Sequence, residues 1–228
     1  MKKEAWILNL ETVPYEEAFE LQKRLVKMRA QDIINDTLIL LEHPPVLTVT
    51  RKATLKNILV SPEELEEKGI ALCHTNRGGD ITYHGPGQLV GYPIMNLKAH
   101  GKDLHGYVRN IEEIIIKLLK DYTITAHRDK NNPGVWVGEE KIAAVGIAVK
   151  SSWTTMHGFS FNINPDLSHY SLIVPCGISD KGVTSLARLL GKTISRKDVC
   201  EKLIQHYGDV FNLTTREIAL EVIAKGKI

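Results

Sequence analysis

An α+β fold, a mixed β-sheet with helices packed on it, is what the patterning of this chain predicts. Three observations carry that expectation. Short β-branched or apolar runs recur along the whole length, and several stretches repeat apolar residues at steps of three and four. No internal repeat, low-complexity linker or shift of composition divides the 228 residues, so one domain spanning 1–228 is the economical reading.

The elements follow in order. Ala5–Leu10 reads as a strand rather than a signal peptide, because the apolar run is short, carries Asn9 and meets Glu11. Tyr15 to about Ile33 reads as a helix through Ala18, Leu21, Leu25 and Met28. Thr37–Glu42 is a buried strand, broken by His43, Pro44 and Pro45 before Val46–Thr50 resumes, so EHPPVLTVT reads as strand, proline turn, strand. Ser61, Pro62 and Glu64 supply a capping hydroxyl, a proline at the first helical position and a carboxylate three residues on, which predicts a short helix ending at Gly69. Ile70–His74 and Gln88–Leu97 are strands. Between Asp103 and Tyr122, Leu104, Val108, Ile111, Ile115 and Leu118 mark one helical face, with Asp103 as the cap. Val135–Val137, Lys141–Val149 and Trp153–Asn162 predict an antiparallel meander, residues 164–183 an irregular stretch, and Arg196–Tyr207 and Thr215–Ala224 two closing helices.

Composition excludes several classes. Hydrophobic residues at 43% and charged residues at 25% suit a soluble globular protein. A net charge of +2 with no basic tail gives no footprint for nucleic acid. The apolar runs fall far short of the roughly 18 residues of a membrane span. Three cysteines without CxxC spacing argue against a disulfide framework and a structural zinc site, and a cytoplasmic location is expected. No HExxH metal pair, GxxxxGK[ST] phosphate loop or GxSxG elbow occurs.

The stretch Arg77–Ile94, RGGDITYHGPGQLVGYPI, organises the rest. A plain turn uses one or two glycines or prolines. Here Gly78 and Gly79 on one side, and Gly85, Pro86, Gly87 and Gly91 on the other, bracket Asp80, Thr82, Tyr83 and His84. This predicts a loop, a short strand and a second loop that turn polar groups and bare amides toward a ligand; two tight turns around a hairpin strand is the alternative. Cys176, between Pro175 and Gly177, is placed to expose its sulfur, although a small buried hydrophobe is the other reading. Cys73 and Cys200 read as packing. Lys141 opens the otherwise apolar run KIAAVGIAV and so stands at the mouth of whatever that sheet encloses, unless it is a solvated hairpin lysine. His84, His157 and Arg77 are further polar candidates.

The stretch RGGDITYHGPGQLVGYPI resembles the signature of the lipoyl(octanoyl) transferases of lipoate biosynthesis. EHPPVLTVT, GVWVGEEKIAAVGIAV, HGFSFNIN, IVPCGI and GVTSL resemble further blocks of that family, in its order, from about residue 40 to about 190. The resemblance implies a fold similar to the catalytic domains of biotin protein ligases and lipoate ligases, with helices on one side of the sheet. It also implies a two-step acyl transfer: an octanoyl group arrives on acyl carrier protein, passes to a cysteine matching Cys176 paired with Lys141, and is delivered to a lysine of a lipoyl domain. The acceptors it implies are 2-oxoacid dehydrogenase E2 subunits and the glycine-cleavage H protein. Substrate-lining positions fall on Arg77, Gly78, Gly79, Asp80, Ile81, Thr82, Tyr83 and His84, on Ala144, Val145 and Gly146, and on Gly158, Phe159 and Ser160. Thr50, Asp80 and Ser160 depart from the family's usual residues, which bears on pocket shape.

The chemistry fits these residues. Exchange between thioesters is nearly isoenergetic, so no ATP and no cofactor or metal is called for. The amides of Gly78, Gly79 or Gly177 are candidates for the oxyanion, and Ala143, Ala144, Gly146 and Ala148 for an acyl slot, in which each buried methylene stabilises binding by about 0.8 kcal/mol. His84 is a candidate hydrogen-bonder to the thioester carbonyl. An ATP-dependent lipoate or biotin ligase and a non-catalytic acyl-carrier binding protein are the alternative readings.

Overall fold

The computed structural model describes residues 2–51, 53, 55–130, 132–150, 152–174 and 182–224. Two sheets and six helices follow one another as β1 (Lys3–Thr12), α1 (Tyr15–Ala30), β2 (Asp36–Glu42), β3 (Val46–Thr50), α2 (Pro62–Glu67), β4 (Ala71–Thr75), β5 (Ile81–His84), β6 (Gln88–Ile94), α3 (Leu104–Asp121), β7 (His127–Arg128), β8 (Gly134–Val137), β9 (Glu140–Val149), β10 (Thr155–Asn162), β11 (Gly182–Val183), α4 (Leu186–Leu190), α5 (Arg196–Phe211), β12 (Leu213–Glu217) and α6 (Leu220–Ala224).

The larger sheet runs β12-β1-β2-β6-β10-β9-β8-β7, with β11 beside β9. β12, β1 and β2 are mutually parallel, and every neighbouring pair from β2 to β7 is antiparallel, so the sheet is mixed as expected. The meander β8-β9-β10 is present. Alternation along β1 sends Ala5 and Ile7 into the core under α3 and α5, while Trp6 and Leu8 enter a second core with Ala18 and Leu25 of α1. Helices therefore cover both faces, not one. That is why Leu38–Leu41 is apolar throughout rather than alternating: Leu38 and Leu40 serve one core, Ile39 and Leu41 the other.

The smaller sheet, β4-β3-β5, has its own apolar layer of Leu47, Val49, Ile81 and Tyr83. The proline turn after β2 thus does more than reverse the chain, because it hands β3 to a different sheet. Ser61 caps α2 by accepting from the Glu64 amide at 3.2 Å, and Asp103 caps α3 through the Gly106 amide at 2.9 Å. Thr215, expected to open a helix, lies instead in β12, in register with Ala5 of β1. A parallel partner some 200 residues away leaves no local trace that would separate LTTRE from a helix start.

Candidate active site

The site lies where the small sheet, the glycine loop and strands β9 and β10 converge. Arg77 is the staple. Its guanidinium donates to the Thr48 carbonyl and hydroxyl, both at 3.0 Å, and to the Gly78 and Asp80 carbonyls, both at 2.9 Å. A hydrogen bond from a charged donor stabilises by roughly 1.5–3 kcal/mol, enough to offset the roughly 1–2 kcal/mol that ordering each loop residue costs. Thr50, one of the residues that depart from the family pattern, donates to the Gly79 carbonyl at 3.0 Å, and Asp80, another, accepts from Asn57 at 2.5 Å. Gly79 has φ +89°, which needs glycine. The Gly78 amide donates to the Ile147 carbonyl at 2.9 Å, so it is not the oxyanion donor it was expected to be. The Gly79 amide has no partner among the described residues and is left for that role.

A cavity of about 50 Å³, open on one side, occupies the junction. Arg77, Gly78, Gly79, Thr82 and His84 line it, as do Lys141, Ala144, Val145, Gly146, Gly158, Phe159 and Ser160. Small residues face each other across its floor, Gly146 opposite Gly158 and Ala144 opposite Ser160. Of the expected lining, Ile81 and Tyr83 point away into the small layer, as the alternation of a strand requires, and Tyr83 bonds His169 at 2.8 Å. Asp80 borders an adjoining hollow of about 460 Å³ that shares Gly78, Gly79, Lys141 and Gly146 with the first. Ala143 packs in the core beneath α3 and gives the slot no room, and Ala148 does not line the cavity.

Lys141 is half-buried at the start of β9, its ammonium 4.7 Å from the centre of the Trp136 ring and 3.4 Å from the Pro133 carbonyl oxygen. Cys176 and Gly177 lie outside the described residues. The flanks of their segment do not: Val174 donates to the Asn57 carbonyl at 2.8 Å, Val183 pairs with Lys141, and the Thr184 amide donates to the Lys141 carbonyl at 3.0 Å. Burial raises the other two thiols, Cys73 with help from Glu16 and Cys200 to about 11, so neither suits a nucleophile.

His84 and His157 line the cavity with Tyr15 and Tyr92, and His43 packs behind them against Tyr15, His84 and Tyr92. His43 donates from Nδ1 to the Val13 carbonyl at 2.6 Å, so its Nε2 accepts from the Tyr92 hydroxyl at 2.7 Å. Gln88 donates its amide nitrogen to Asn162 at 2.9 Å and reaches the Tyr83 carbonyl at 3.4 Å, which leaves its oxygen to accept from His84 Nδ1 at 2.6 Å. His84 Nε2 is then a lone pair. It accepts a proton or hydrogen bond and cannot donate to a thioester carbonyl, the role considered for it above. His157, at φ +62°, is held by Gln22 through its amide at 2.8 Å and by Asn76 through Nε2 at 2.8 Å. Tyr15, Val90, Tyr92 and Pro133 also line the cavity and were not among the expected lining residues.

Burial depresses all three imidazoles. His43 falls to about 4, His84 to about 3 with His43 and Arg77 adding to the effect, and His157 to about 3 with Arg77 and Lys150 adding. All three are neutral in the folded protein at neutral pH, whereas an unfolded histidine titrates near 6.5. Their contribution is therefore complete above pH 6.5 and is lost as pH falls toward 4 and 3, because only the unfolded chain takes up the protons. At pH 5, unfolding is expected to bind about three more protons through these groups than at pH 8. Calorimetric melts over that range check this, and a melting temperature flat from pH 7 to 5 would contradict it.

A family model described as the lipoyl protein ligase A/B catalytic domain matches residues 14–208. The octanoyltransferase of Caldicellulosiruptor saccharolyticus is 52% identical over 227 residues, covering 97% of this chain and 96% of its own. That of Desulforamulus reducens is 47% identical, covering 91% of each. Among solved structures, lipoate-protein ligase A bound with ATP superposes with a TM-score of 0.78 at 17% identity, over 99% of this chain and 93% of the other. The biotin protein ligase of Aquifex aeolicus gives 0.52 at 17%, over 93% and 70%. At such identities the structural likeness speaks for the fold, which is the one the resemblance implied.

Proposed function

The chain belongs to the lipoyl protein ligase A/B catalytic-domain family, and from that premise we propose that it carries octanoyl groups to lipoyl domains through a thioester on Cys176, with Lys141 as the partner of that sulfur. That it is an octanoyl-transferring acyltransferase follows from relatives of that activity over nearly its whole length. The donor is octanoyl-acyl carrier protein, and the acceptors are lysines of lipoyl-domain proteins, the 2-oxoacid dehydrogenase E2 subunits and the glycine-cleavage H protein. No described helix is long and apolar enough to cross a membrane.

One observation carries the reading. Lys141 opens onto a cavity floored by small residues, and the segment bearing Cys176 is tied at its far end to the backbone of Lys141 itself. In the first step the Cys176 thiolate attacks the donor carbonyl, the oxyanion forms within reach of the Gly79 amide, and the carrier thiolate leaves and takes its proton from the Lys141 ammonium, which becomes the neutral amine. In the second step the acceptor amine attacks the Cys176 thioester, the cysteine sulfur leaves, and the amine proton passes to Lys141. The lone pair of His84 faces the same space and suits an amine or ammonium donor. The chain slot is the floor of Ala144, Gly146, Gly158 and Ser160.

Intact-mass measurement after mixing with octanoyl-acyl carrier protein tests this. A single octanoyl adduct is expected, removed by hydroxylamine and missing from Cys176→Ala. A Cys176→Ala protein that still modifies a lipoyl domain when given ATP and octanoate would instead make the chain a ligase.

A further inference from the structure

We infer that the indole face of Trp136, together with the Pro133 carbonyl, is a seat that holds the Lys141 ammonium, which makes Trp136 a positioning residue for octanoyl transfer. The inference rests on the reading of Lys141 given above.

The geometry is direct. The Lys141 Nζ stands 4.7 Å from the ring centroid, inside the roughly 6 Å within which an aromatic face attracts a cation. Trp136 is 1% exposed, and its Nε1 donates to the Asn132 carbonyl at 3.3 Å, so the ring is packed and held rather than free to turn. Trp136 and Lys141 are cross-strand partners in β8 and β9, and a bulge between Val135 and Trp136 adjusts the register at that point. The Pro133 carbonyl adds a second electron-rich contact at 3.4 Å.

Other charged groups share the neighbourhood of the seat. Arg77 lines the same cavity and its charge opposes a second cation there, while Asp80 borders the adjoining hollow. His84 and His157, which line the same cavity, are neutral. Glu140 faces Arg188 at 3.4 Å, and Glu112 of α3 is taken by Arg128 at 3.2 Å. The ring face and the carbonyl both favour the ammonium form of the lysine, and in that form it favours a thiolate.

Fluorinated tryptophans test the seat, because each fluorine draws electron density from the ring face and barely alters its shape. In a Trp6→Phe, Trp153→Phe background Trp136 is the only tryptophan. From native to tetrafluorinated ring, the midpoint of the Lys141 13Cε titration is expected to fall by about half to one pH unit. Single-turnover acylation of Cys176 should slow by roughly three- to tenfold in step, with the melting temperature unchanged. Trp136→Phe against Trp136→Leu in the natural background, read by the same titration, repeats the test should the double variant fold poorly. A lysine midpoint that stays constant along the series overturns the seat. A midpoint that follows the fluorine count in a protein that never forms a thioester leaves the seat standing and removes the transfer mechanism instead.

Discussion

Lys141→Ala is expected to slow octanoyl transfer by a factor of roughly 10² or more, the range lost when a positioned proton-transfer group is removed. Stability should change little. The side chain is half-buried and its ammonium rests on a ring face and a carbonyl, interactions worth about 0.5–2 kcal/mol for the ring contact. The strand beneath it keeps its pairing with Trp136 on one side and Val183 on the other, both made through the backbone. Single-turnover transfer from octanoyl-acyl carrier protein to a lipoyl domain, with a thermal melt alongside, separates the two effects. A near-native rate would remove the lysine from the chemistry, and a collapsed melt would make it structural.

That Lys141 lines the cavity was legible because KIAAVGIAV is apolar after its first residue, and a charge there has to sit at an entrance. The glycine block was legible as a loop, a strand and a loop, but not in which of its residues face inward. Period-two alternation decides that: Thr82 and His84 face the cavity, Ile81 and Tyr83 the small layer, and taking the block whole included both faces. Tyr15 and Pro133 left no signal, and Val90 and Tyr92, both in β6 within the glycine-rich block, look locally like ordinary packing. The sheet's far edge was misread for a similar reason. β12 owes its strand conformation to β1, almost the whole chain away, whereas α3 declares itself within eighteen residues. Local periodicity reveals local structure, and the site is a junction of remote pieces.

Gly146→Ala should slow transfer sharply, because the site has no room for a methyl group there. A Cβ at that position would lie 2.9 Å from the Gly78 carbonyl oxygen and 3.3 Å from Cδ of Arg77. Neither neighbour yields easily. The Gly78 carbonyl accepts from the same arginine, its amide is tied to Ile147, and Arg77 is anchored on Thr48. Strand β9 itself accepts alanine, because Gly146 lies in regular pairing with Gly158 and has no left-handed φ. The strain therefore falls on the glycine loop, which must move outward and carry the Gly79 amide with it. A displacement near 1 Å at a reacting centre costs up to about 10²-fold in rate, so transfer is expected to drop by roughly 10- to 100-fold while the fold persists. The loss should appear in the acylation step itself, measured by the rate of thioester formation at saturating donor, because the carbonyl loses its oxyanion donor whether or not the donor protein binds. Unchanged acylation in Gly146→Ala would mean that the loop carries no reacting group.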